Sequence, residues 1–249
     1  MIKTGISHDK IAFLDIETAS SYESIFDMPT PMAVAWEHVV ENRYKDELSD
    51  TVSVGDLYKK YSALYPEFAR IVCISIGHFT SPTDIKVKAF YGENGDEKSL
   101  INQTMAELTR LSTITNCIGG HNIKNFDIPY IVRRSIVVDT ALLTTFDLYS
   151  RKPWEITQFV DTMEMWKVLN SNVGSASLES IAAAFGFKSP KEEMSGSRVT
   201  ELYYSDDPDK FKKIGKYCNG DVLTTLLIYV RMTKGDVFMR TMKVVENSY

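Results

Sequence analysis

Cysteine is scarce in this chain, and the three present, Cys73, Cys117 and Cys218, never form a CxxC pair. That spacing excludes a cysteine-built zinc module and a disulfide framework. The thiols are expected to be buried, in a reducing compartment. Long apolar runs are missing as well: none reaches the ~18 residues a membrane-spanning helix needs. Met1 to Lys10 is polar and lacks a hydrophobic signal core, so the expected location is cytoplasmic. No GxxxxGK[ST] loop occurs, which excludes triphosphate hydrolysis of the P-loop kind. Nor is there a basic excess, since 28 Lys and Arg face 33 Asp and Glu for a net charge of −5. A protein that coats long stretches of nucleic acid needs the opposite balance. Gripping one strand end remains compatible with it, as does a carboxylate cluster neutralised by cations.

What is present suits an ordinary folded α/β chain. Of 249 residues, 44% are hydrophobic and 24% charged, enough for a sizeable core. The length favours one domain, 1–249, carrying an insertion at about 19–69. Residues 11–16, 71–79 and 84–91 read as strands and suggest a three-strand antiparallel meander. Apolar spacing predicts a helix over 96–111 and helical stretches near 31–44 and 55–64 in the insertion. A short strand at 114–119, a helix through 134 and a strand at 158–162 imply parallel additions to the sheet. The last third reads helical: 177–185 ending at Gly186, 197–204, and a long helix from about Asp207 to Arg231.

Three acidic motifs stand out. In "IAFLDIETAS" (11–20), Asp15 and Glu17 are two apart, so on a strand both point to one face. Two hard oxygen ligands side by side suit Mg²⁺ or Mn²⁺, although a single Asp-x-Glu also suits a strand terminus. In "GGHNIKNFDIPYIVRR", Asp127 opens a helix after a turn that paired glycines make tight; alone it is a helix cap as readily as a ligand. In "KKIGKYCNGDVLTTLL", Tyr217 and Asp221 are four apart and share a helix face.

The order and separation of these motifs resemble the DEDD superfamily of 3′–5′ exonucleases. "FLDIET", "HNIKNFDIPYI" and "YCNGD" are most similar to the proofreading exonuclease domains of family B DNA polymerases. "FVDTMEMWK" and "SLESIAAAFGF" resemble the segments before the third motif, and neither is read as carrying chemistry. The resemblance implies a ribonuclease H-like α/β fold: a mixed central sheet, meander plus parallel strands, flanked by helices. It also implies a stand-alone exonuclease of the tyrosine branch, because position 216, where the histidine branch has His, is Lys. All four histidines precede that motif, so no other His lies near it in sequence.

On the same resemblance, Asp15, Glu17, Asp127 and Asp221 are the metal ligands and Tyr217 the motif tyrosine. Asp15 would bridge two divalent ions, Mg²⁺ or Mn²⁺, with Glu17 and Asp221 on the ion carrying the attacking water and Asp127 supporting the second. Two ions ~4 Å apart stabilise the attacking and leaving oxygens of an in-line displacement. Thr18 and Asn122 flank the motifs as candidate contacts to the terminal nucleotide. Lys213, one turn before Tyr217, could meet a phosphate or belong to the solvated face of Lys210, Lys212 and Lys216. Tyr22, Phe26, Met28 and Trp36 could stack on an unpaired base or pack the insertion onto the sheet. The implied substrate is the 3′ end of single-stranded DNA, with RNA or a non-catalytic end-binding module as alternatives.

Overall fold

The structure, a computed structural model, describes residues 2, 5–92, 95–148, 152, 156–168, 176–187 and 198–248. Residue 197, the first of one expected helix, lies outside them.

The sheet begins where the sequence says it should, but β1 runs Ile11–Ser20, four residues past the apolar run. The reason is pairing. Antiparallel β2 (Ala69–Phe79) holds β1 to its last residue, Ser20 opposite Ala69. β3 (Asp84–Phe90) completes the antiparallel meander. On the other side of β1, parallel β4 (Cys117–Gly120) pairs only as far as Phe13 with Gly119. Asp15 and Glu17 therefore sit mid-strand, on the half of β1 that β4 leaves uncovered. β5 (Phe159–Asp161) lies parallel beyond β4. An extra residue on β2, Val72, breaks the register between Glu17 and Thr18, a bulge of the kind that re-aims side chains beside sites.

One strand was not foreseen. β6 (Lys243–Ser248) pairs parallel with β3, giving the order β5-β4-β1-β2-β3-β6. The last third is thus helical only as far as residue 239. Lys-Val-Val-Glu-Asn-Ser has no alternation to announce a strand; an edge partner makes it one.

Helices cover both faces. On one, α3 (Glu97–Leu111) and α4 (Asp127–Val137) bury Leu100, Ile101, Leu108, Ile128 and Ile131 against Ala12, Leu14 and Ile16. On the other, α8 (Lys210–Lys234) lays Val222, Leu226 and Tyr229 over Ile11 and Phe13. Gly77 lets it close on β2, since a Cβ there would stand 2.7 Å from Val222. Three shorter helices, α5 (Thr162–Lys167), α6 (Leu178–Ala184) and α7 (Val199–Tyr204), pack around α8 and the end of β1. α8 stops at Gly235, whose φ of +83° suits glycine, and α9 (Asp236–Met239) follows.

Between β1 and β2 the insertion folds as α1 (Thr30–Arg43) and α2 (Val54–Tyr61) around a small core of Met28, Trp36, Tyr58 and Phe68. α2 is started by reciprocal Ser53 and Asp56 bonds. The far end of the insertion is tied down by a buried ion pair. Glu97 bonds Arg134 at 2.6 Å and accepts the Ile71 amide, while Arg134 donates to the Pro66 carbonyl. Arg134 is therefore internal.

Candidate active site

Because Asp15 and Glu17 alternate with Leu14 and Ile16 along β1, the apolar pair enters the core under α3 and α4. The carboxylates are left on the α8 side. There α8 presents Tyr217 and Asp221 from successive turns. These four line one cleft of about 230 Å³ with Ile16, His121, Leu178 and Glu179. Residues 200 positions apart in the chain meet only through the packing of α8 on β1.

The charge in this cleft is crowded. Burial, then the neighbouring Asp127 and Asp221, push the Asp15 carboxyl well above the usual carboxylate range. Burial and Asp15 do the same to Glu17. Glu17 is only 7% exposed, and among the described residues no group donates a hydrogen bond to its carboxylate. Carboxylates crowded this closely repel one another in their charged forms unless a cation joins them. Such an all-oxygen donor set fits hard divalent ions. The Tyr217 hydroxyl is hydrogen-bonded to Asp221, and burial with that anionic company drives its pKa far above the ordinary tyrosine value.

Asp127 stands behind the cleft rather than in its lining. It begins α4, is 3% exposed, and its Oδ1 accepts the Ile16 amide at 3.1 Å. That amide lies on the stretch of β1 that β4 does not reach, so Asp127 takes the place of a missing strand. Burial raises its carboxyl to about 7.

The candidate substrate contacts lie outside the lining. The Thr18 hydroxyl donates to the Ala63 carbonyl at 2.8 Å. Asn122, at φ +60°, accepts from the Asn125 amide side chain. Lys213 is paired with Asp207. Of the four insertion residues, Trp36 and Met28 are core, Tyr22 packs against that core, and Phe26 is 93% exposed.

Three residues near the site escaped the sequence reading. Asp161, buried at the end of β5, accepts the amides of Asn122 and Met163 at 2.9 Å each and is bonded by those of Lys124 and Glu164. It clamps the turn that leads to Asp127 while capping α5. The "VDT" context of a strand running into a helix is the signal that could have found it. α6, read as carrying no chemistry, brings Glu179 to the cleft. His121 comes to it as well, although in sequence it is far from the tyrosine motif. Its Nε2 donates to the Ala176 carbonyl and Nδ1 lies 3.0 Å from the Thr162 hydroxyl. Burial lowers its pKa. With both nitrogens engaged, it supports the wall of the cleft.

A mixed sheet built on a meander, continued by parallel strands and flanked by helices, with its carboxylates gathered beside the first strand, defines a ribonuclease H-like exonuclease fold. More narrowly, the chain belongs to the family of predicted 3′–5′ exonucleases related to the exonuclease domain of PolB, whose model matches residues 62–247. Asp127, Tyr217 and Asp221 fall inside that span; Asp15 and Glu17 precede it. Among solved structures, the chain is similar to the family B DNA polymerase from the hyperthermophilic archaeon Pyrobaculum calidifontis. The identity is 16% and the TM-score 0.52, over 93% of this chain and 26% of that one. The chain thus spans about a quarter of the polymerase, and the likeness is one of fold. None of the curated proteins matches it in sequence.

Proposed function

We propose that the protein is a metal-dependent 3′–5′ exonuclease of the tyrosine branch. It hydrolyses the last phosphodiester of single-stranded DNA and releases nucleoside monophosphates. The observation that carries this reading is the convergence of Asp15, Glu17, Tyr217 and Asp221 on one cleft.

Asp15, Glu17 and Asp221 would hold the divalent ions, with Asp127 supporting them from behind. When bound, Mg²⁺ or Mn²⁺ acidifies a water and offsets charge on the attacking and leaving oxygens. Tyr217 keeps its proton, because burial and then its carboxylate neighbours oppose a phenolate. Its part is to orient the attacking water by a hydrogen bond rather than to act as base. Asp161 keeps the 122–124 turn in place beside the cleft. Lys213, more than half exposed, can exchange Asp207 for a phosphate. Phe26 is the insertion residue bare enough to stack on an unpaired base.

The test is a time course on a 5′-labelled single-stranded DNA oligonucleotide with Mg²⁺, Mn²⁺ or EDTA, beside the Asp15→Ala protein. A metal-dependent ladder shortening from the 3′ end, absent in the variant, is expected. A matched RNA oligonucleotide degraded in preference to DNA would reassign the substrate. No degradation of either would leave the fold as an end-binding module.

A further inference from the structure

Beneath the carboxylate cleft, outside its lining, lies a sulfur atom. Cys218 follows Tyr217 on α8 and is turned inward, fully buried between the helix and β1. Its thiol lies 3.5 Å from the Asp15 carbonyl oxygen and 3.6 Å from Asp15 Oδ2. One donor atom each from Asp15, Glu17 and Cys218 can be chosen so that all three lie within 4.8 Å of one another. Glu17, more than nine-tenths buried and lining the same cleft, has no hydrogen-bond donor among the described residues.

These distances have a chemical reading. Oxygen-only ligands suit Mg²⁺ and Mn²⁺, whereas sulfur selects thiophilic ions such as Zn²⁺. A cation ~2.3 Å from sulfur and ~2.1 Å from a carboxylate oxygen, at the tetrahedral angle, holds those atoms ~3.6 Å apart. The Cys218 Sγ to Asp15 Oδ2 separation is 3.6 Å. We propose that Cys218, Asp15 and Glu17 form a mixed thiolate–carboxylate site for a thiophilic dication of the Zn²⁺ class, on the buried side of the carboxylates. The sulfur–metal bond forms as the thiol proton leaves to solvent. Such an ion takes Asp15 and Glu17 away from the hard ions; on the exonuclease reading, Zn²⁺ then arrests turnover in the presence of Mg²⁺.

The experiment uses the full metal-free chain and needs no nuclease activity, so failure of the exonuclease reading does not affect it. Cd²⁺ is titrated as the spectroscopic probe while the ultraviolet charge-transfer band of a cadmium thiolate is followed. One equivalent is expected to develop the band, Cys73→Ser to retain it, and Cys218→Ser to abolish it. In Cys218→Ser the Zn²⁺ affinity should fall by more than the roughly 100-fold that loss of an outer-shell partner costs. Mn²⁺ affinity, set by oxygen ligands, is retained. Should Cys218→Ser fail to fold, cadmium X-ray absorption on the native chain decides the matter, with one sulfur expected among the neighbours. A band that survives Cys218→Ser, or an oxygen-only shell, overturns the site.

Discussion

At the residue scale, Tyr217 and Asp15 separate two kinds of dependence on the same cleft. On the proposed mechanism Tyr217 positions a water, so Tyr217→Phe is expected to lower turnover on the order of 100-fold, the cost of a misplaced reactant, with metal affinity kept. Asp15→Ala and Asp221→Ala should lose both. Single-turnover rates beside Mn²⁺ titrations check this, and metal binding lost equally in all three variants would contradict it. His121 offers a pH test. Burial holds its folded pKa below the ordinary imidazole value, so the unfolded chain takes up a proton that the folded one refuses. The stability linked to His121 is therefore complete above the ordinary imidazole range and declines as pH falls below it. His121→Gln should flatten that slope in urea titrations at successive pH values; an unchanged slope would assign it to other groups.

At the element scale, the decisive feature is the unequal length of neighbouring strands. β4 stops at Gly120 while β1 continues to Ser20, and side chains occupy the uncovered stretch: Asp127 on the Ile16 amide and Thr200 on the Ser20 amide. A Cβ on Gly120 would stand 2.7 Å from Ile123 and 2.9 Å from the Leu14 carbonyl, so glycine lets the following turn approach β1. Asp161 then holds that turn by its amides. Asp161→Ala leaves several buried amides without an acceptor and should cost about 1–3 kcal/mol. The urea midpoint measures it, and an unshifted midpoint would show that water replaces the carboxylate there. The expected elements were close to those found wherever one face carried a long apolar period, as in α3, α4 and α8. β6 was missed because its pairing with β3 comes from tertiary placement.

At the scale of the whole molecule, the Glu97–Arg134 pair joins what local signals cannot. It links α3 to α4, the start of β2 through the Ile71 amide, and the end of the insertion through Pro66. Both side chains are less than a tenth exposed. Arg134→Ala should therefore cost about 3–5 kcal/mol, the usual result of leaving one buried charge unpaired. Replacing Glu97 and Arg134 together by Leu and Met should cost less. Chemical unfolding of both variants decides, and a mild single substitution would mean that solvent reaches Glu97. No helix among the described residues is long and apolar enough to cross a membrane.

The sequence by itself determined which carboxylates and which tyrosine can share one face of a strand or a helix. Residue type, a two-residue spacing on a strand and a four-residue spacing on a helix are local properties, and Asp15, Glu17, Tyr217 and Asp221 obey them. It also determined the meander and the long helices, whose apolar periods are written in consecutive residues. Tertiary structure alone decided that Asp127 supports β1 from behind the cleft and that Lys213 turns to Asp207. It also decided that His121, Glu179 and Asp161 come to the site from segments whose spacing assigned them no role. The reason is physical: these placements depend on where one element ends beside another, and no periodicity within a single segment encodes the length of its neighbour.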